Sequence, residues 1–127
     1  MLVRFNQFYE EEAQIISSPA ELIELQKLLM QLPVDGSIIR LIRDIMVQTR
    51  QHKDLQLGGS PRASLALLNM TKAAALVEGR TAVTEDDVKK YAPYILKHRL
   101  ILKPEAELDE ITVDDIMKEI LGKVSAH

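Results

Sequence analysis

Five times along this chain a side chain suited to capping a helix N-terminus stands just ahead of an apolar run at helical spacing, and this punctuation constrains the fold most. Ser18 precedes Pro19, a proline at the first helical position where its missing N–H costs nothing, and Glu21 completes a capping-box pattern. Leu22, Leu25, Leu28, Leu29 and Leu32 follow until Pro33 ends the run. Asp35 caps the next helix, whose apolar face is read as Ile38, Ile39, Ile42, Ile45, Met46 and Thr49, with Arg40, Arg43, Arg50 and Lys53 largely off it. That helix is expected to fade near His52, and Leu55 to Gly59 reads as a loop. Ser60-Pro61 repeats the earlier start, and Leu65, Leu68, Met70 and Leu76 then alternate with Ala63, Ala66, Ala73, Ala74 and Ala75 up to Gly79, which suits a C′ position. So many alanines let neighbouring helices come close, as in the centre of a bundle.

Thr84 and Thr112 open two segments that echo each other, each a capping threonine with acids in the first turn, where the helix N-terminus favours them. The first predicts a helix to about His98, bent at Pro93, and the second a helix ending at Gly122. Leu100-Ile101-Leu102 looks extended. The expected architecture is an all-α bundle of about five helices with minor short strand pairing.

Its 127 residues allow one hydrophobic core. With only two phenylalanines and three tyrosines, that core must be mostly Leu, Ile, Val, Ala and Met. No apolar stretch approaches the roughly 20 residues of a membrane span, and Glu10, Glu11 and Glu12 interrupt the apolar region a secretion signal needs. The absence of cysteine excludes disulfides, thiolate zinc sites and thiol nucleophiles. A formal charge of −3 lacks the electrostatic footprint of a general nucleic-acid binder. The expectation is a soluble, cytoplasmic domain with neither nucleic acid nor membrane as partner.

Complete catalytic sets are missing. There is no GxxxxGK[ST] phosphate loop, no HExxH pair and no Gly-x-Ser-x-Gly elbow, and His52, His98 and His127 are scattered. Asp86-Asp87 and Asp114-Asp115 stand at helix starts, where capping accounts for them. The one constellation that stands out is Leu57-Gly58-Gly59-Ser60-Pro61-Arg62-Ala63-Ser64. With Ser60 as cap and Pro61 first in the helix, Arg62 projects from the helix end beside two glycines that permit a ligand or another backbone to approach. Arginine is a permanent, planar, multi-donor cation suited to phosphate oxygens. Residues 40–72 carry six basic side chains and only Asp44 and Asp54 as acids, so the local field is positive. A surface ion pair at Arg62 and glycines that merely close a loop account for the same residues. Arg40 and Arg43 are weaker candidates for a nucleotide or subunit contact. His98 and Arg99 suit a helix C-terminus, and the acidic end, Glu105 to Glu119, suits either a partner or simple solubility.

Gly58-Gly59-Ser60-Pro61-Arg62-Ala63-Ser64-Leu65-Ala66-Leu67-Leu68, with Ala73 to Arg80, Val83 to Val88 and His98-Arg99-Leu100, resembles the C-terminal lid of MoxR-type AAA+ ATPases. The resemblance covers residues 52–102 in order and spacing, fits residues 18–50 more loosely, and fades before Ser17 and after Leu102. It implies residues 1–17 as a lead-in from an ATPase core missing upstream of Met1, and residues 18–127 as the helical lid. It further implies that Arg62 is the sensor-2 arginine, acting on ATP bound by that core, with Gly58, Ser60 and Pro61 shaping its approach. ATP and Mg2+ then belong to the parent, and neither is expected to bind this chain tightly. The chain alone is expected to be no enzyme, whereas the parent is an ATPase. Implied partners are the core domain, neighbouring subunits in a ring, and proteins with von Willebrand factor A domains, and the implied activity of the parent is chaperone-like remodelling or maturation of other proteins. Gly59, where many members of that family carry alanine, is expected to loosen the loop slightly.

Two other readings compete. Gly79 to Val88 resembles the loop leading into a helix of histone folds, a DNA-binding alternative marked by tight, salt-sensitive binding to duplex DNA. A plain protein-interaction bundle is the third.

Overall fold

Helix starts follow the capping side chains. In a computed structural model, which describes residues 19–127, the Asp35 carboxylate accepts from the Ser37 N–H at 2.8 Å and the Ser60 hydroxyl accepts from the Ala63 N–H at 3.3 Å. Thr84 with Asp87 and Thr112 with Asp115 form reciprocal capping boxes. Ser18, its expected capping box and the lead-in segment lie outside the described residues.

The elements run α1 (Pro19–Gln31), α2 (Gly36–Gln51), β1 (Leu55–Leu57), α3 (Pro61–Val77), α4 (Glu85–Leu96), β2 (Ile101–Leu102), α5 (Pro104–Leu108) and α6 (Val113–Lys123). Six helices are therefore described, against about five expected. The addition is α5, whose five residues are too few to show a period. Leu55–Leu57, read as loop, is instead a strand: β1 pairs antiparallel with β2, Leu55 opposite Leu102 and Leu57 opposite Ile101, with an irregularity between. The partner was visible as an extended segment, but a three-residue strand leaves no alternation to read.

Helix α3 packs most extensively on α4 and also on α2 and α1. Ala63 and Ala75 are fully buried, so short side chains allow the close approach expected of a central helix. Leu41, Ile45 and Met46 of α2, Leu67 of α3, Val88 and Leu96 of α4, and Ile116, Met117 and Ile120 of α6 fill the middle of the core. Four residues of the apolar stripes read as core are exposed, Leu22 and Leu28 of α1 among them. Ile39 is 46% exposed while Leu41 is buried, and Leu65 is 59% exposed while Leu67 is buried. Successive helical residues are offset by about 100°, so the stripe through Ile38, Leu41, Ile42, Ile45 and Thr49 turns Ile39 aside.

The C-terminal end of α3 closes with Gly79 at φ +70, the left-handed region, while Arg80 N–H donates to Ala75 O at 2.8 Å and Gly79 N–H to Leu76 O at 3.0 Å. Arg80 then turns its guanidinium onto α4. It grips both oxygens of Asp87 at 2.7 Å each and reaches Glu78 Oε2 at 3.0 Å. Burial pushes the Asp87 carboxyl up, but hydrogen bonds from Arg80 and Thr84 and the Arg80 charge outweigh it and hold the group below the usual carboxylate range.

Asp87→Asn should therefore destabilise the chain by about 2 kcal/mol, the scale of a hydrogen bond to a charged group, measured by denaturant unfolding at neutral pH. A depressed folded-state pKa contributes stability that is complete above the unfolded value of about 3.9 and is lost as pH falls through the folded value. The unvaried chain should accordingly lose stability more steeply below about pH 4 than Asp87→Asn does.

Candidate functional site

The Gly58–Arg62 segment joins β1 to α3 across the last turn of α2. At Gly58 an added Cβ would stand 2.7 Å from both Arg50 N and Arg50 Cα and 2.8 Å from the Thr49 carbonyl carbon. This glycine therefore admits the backbone of α2, and no larger residue fits without moving a helix. Gly59 is buried and held at both backbone groups. Its N–H donates to Thr49 Oγ1 at 2.9 Å, and its carbonyl accepts from Arg50 Nε at 2.9 Å. The expectation that Gly59 loosens the loop is overturned by those two bonds. A Cβ there would meet Met46 Sδ at 2.5 Å, a contact that a bending thioether can relieve.

Ser60 caps α3, Pro61 occupies its first position and Arg62 follows in the first turn. Arg62 is exposed and, among the described residues, makes no hydrogen bond or ion pair. Beside that turn, a largely apolar groove of 340 Å³ opens between α2 and α3, with Ile39, Met46 and Leu65 in its walls and Arg43, Arg50 and Ser64 among its polar lining. The arrangement offers a cation unpaired among the described residues, at a helix start next to a largely apolar groove, suited to an anionic group with an apolar neighbour.

The other sequence candidates separate from this site. Arg40 Nε donates to His127 O at 2.6 Å, fastening the C-terminal residues to α2, while Ala126 N–H donates to Glu85 Oε1. Arg43 is paired with Asp44 at 3.2 Å. His98 and Arg99 are exposed in the turn after α4, away from the groove lining. Arg80, the arginine of the histone-like segment, is committed to Asp87 and Glu78. From the acidic end, Glu119 is used structurally. It accepts from His52 Nε2 at 3.0 Å and from Lys123 Nζ at 3.1 Å, and those two hydrogen bonds hold its carboxyl below the ordinary range. Because His52 Nδ1 accepts from the Asp54 N–H, the imidazole proton is on Nε2, and the ring ties the end of α2 to α6. Among the described residues no group of His, Asp or Glu is placed to hold a metal ion. Sequence reasoning missed Thr49 as part of this site: it read as core, and nothing in spacing reveals that its hydroxyl meets a glycine ten residues on.

The AAA lid domain family profile matches residues 47–120, spanning the end of α2 to the last helix and including the whole Gly58–Arg62 segment. The chain belongs to the AAA lid domain family. It is 38% identical over 114 residues to the uncharacterised protein YeaC of Bacillus subtilis, covering 90% of this chain and 36% of that protein. It is 30% identical over 123 residues to Chaperone MoxR1 of Mycobacterium tuberculosis, covering 90% of this chain and 33% of that protein. Its fold is similar to the crystal structure of a candidate ATPase from Cytophaga hutchinsonii, with a TM-score of 0.79, 27% identity, and coverage of 85% of this chain and 36% of that one. These similarities support the MoxR-type AAA+ lid that the sequence resembles. The lid spans about a third of the length of the curated relatives it matches.

Gly58→Ala should destabilise the lid by about 2 kcal/mol, the scale of a forced overpacking, because helix backbone must move. Gly59→Ala should cost visibly less, because side chains and not backbone must give way: Met46 Sδ at 2.5 Å, and Leu96 Cδ2 and Thr49 Oγ1 at 3.3 Å. Paired denaturant titrations check that order.

Proposed function

We propose that this chain is the C-terminal lid of an AAA+ ATPase, with residues 18–127 forming the lid and residues 1–17 leading in from a nucleotide-binding core. Arg62 serves as the sensor-2 arginine. The observation that carries the reading is the placement of Arg62: exposed in the first turn of α3, without a hydrogen-bond or ion-pair partner among the described residues, beside a groove bearing Arg43 and Arg50. Ser60 and Pro61 set the direction of that turn, and Gly58 seats it against α2.

ATP with Mg2+ on the core domain supplies the phosphoryl group and the ion that polarises it. From the lid, the Arg62 guanidinium hydrogen-bonds phosphoryl oxygens and stabilises the charge that spreads over them as the bond breaks. Because the γ-phosphate is present only before hydrolysis, that contact is made in one nucleotide state and lost in the next. A differential contact of this kind biases lid position. Within a ring of such subunits, lid movement is passed to neighbouring subunits and used to remodel partner proteins, those with von Willebrand factor A domains being the class the family resemblance implies. No phosphate loop is present in these 127 residues, so the lid alone hydrolyses nothing.

In the full-length ATPase, Arg62→Ala should lower kcat for ATP about 100-fold, the scale of losing one preorganised donor to a developing charge, with the thermal midpoint unchanged. Arg62→Lys, which keeps charge but not the planar fork, should fall between the two. Unaltered kcat in Arg62→Ala would refute the assignment, as would ATP turnover by the isolated lid.

A further inference from the structure

We infer that Thr49 and Arg50, in the last turn of α2, are positioning residues for Arg62, an inference that rests on the sensor-2 reading above. Between them they hold both backbone groups of Gly59, three residues before the arginine. Thr49 is 0% exposed, and its single hydroxyl proton is donated to Met46 O at 2.7 Å. The oxygen's free lone pair therefore faces the Gly59 N–H, which it accepts at 2.9 Å. Arg50 Nε closes the other side at Gly59 O, also at 2.9 Å. With Gly58 already in contact with the α2 backbone, the two peptide units that meet at Gly59 are each tied to α2.

From those peptides to Arg62, little remains to vary. Ser60 is held by its own cap bond to Ala63 N–H, and Pro61 has its φ locked by its ring. Position is thus carried from α2 through Gly59, Ser60 and Pro61 to the arginine. The body of α3 is held separately, by Ala63, Leu67 and Ala75 in the core. Losing the Gly59 contacts leaves the helix seated through Leu67 and Ala75, while the turn that carries Arg62 keeps Ala63 as its anchor and can tilt about it. A shift of about 1 Å at a charge-stabilising group is worth up to about 100-fold in rate, so the contacts act on turnover beyond their effect on folding.

A double-mutant cycle in the full-length ATPase tests the inference, using Thr49→Val, Arg50→Ala and Arg62→Ala, with ATP turnover and thermal midpoint read for each. Thr49→Val keeps shape but removes the acceptor. Arg50→Ala frees a carbonyl that water can reach, and so remains informative if Thr49→Val fails to fold. Each is expected to lower kcat about tenfold or more while KM for ATP stays within about twofold, since the arginine's aim and not nucleotide capture is lost. Thr49→Ser, which retains the hydroxyl, should restore most of the rate. In the Arg62→Ala background neither substitution should lower kcat further, because the route through which they act is gone. Full turnover in Thr49→Val and Arg50→Ala beside an impaired Arg62→Ala would overturn the positioning role and leave sensor 2 standing. Equal losses with and without Arg62 would overturn it too, by showing an effect on folding alone. Unaltered turnover in Arg62→Ala would instead bring down the reading beneath it.

Discussion

Direct contact between the last turn of α2 and the Gly58-Gly59 backbone decides where α3 can begin, and α3 is the helix against which α1, α2 and α4 all pack. Two glycines let the chain pass at backbone distance from another helix, and a buried threonine supplies the polar partner that this closeness strands from water. Without a hydroxyl at position 49, the Gly59 N–H would be buried with no acceptor, at a cost of about 1–3 kcal/mol. A residue that reads as core from its place on the apolar stripe thus serves packing and hydrogen bonding at once.

The far end of α3 is secured by different chemistry. Gly79 in the left-handed region lets the chain reverse, and Arg80 crosses to the capping carboxylate of α4. Asp87 therefore answers three donors, the two guanidinium nitrogens and the Thr84 N–H at 2.8 Å, and orients the first turn of α4 against the end of α3. One end is fixed by steric closeness and by hydrogen bonds that involve no carboxylate, the other by an arginine–carboxylate pair, so the two respond differently to acid: only the second weakens when carboxylates are protonated.

Much of this was legible in the sequence because capping is local chemistry. Asp35, Ser60, Thr84 and Thr112 start their helices as read, since a cap is defined within three residues of chain. The small sheet, helix α5 and the exact core phase were not. β1 depends on a partner more than forty residues away, α5 is a single turn and a half, and Ile39 with Leu65 differ from their buried neighbours only by rotation about a helix axis. Of the candidate site, the Ser60 cap and the place of Arg62 in the first turn of α3 were legible from the Gly58–Ser64 motif. The grip of Thr49 and Arg50 on Gly59 was not, because it is a tertiary contact and one of its members looks like an ordinary core threonine.

Helix ends are normally the first places to fray, since the opening N–H groups have no partner within the helix. The amino end of α3 departs from that pattern: a proline removes one such group, a serine satisfies another, and the residue before the cap is pinned to a neighbouring helix. A side chain in the second position of α3 is consequently carried by backbone as steady as a mid-helix turn, while still enjoying the open outlook of a terminus.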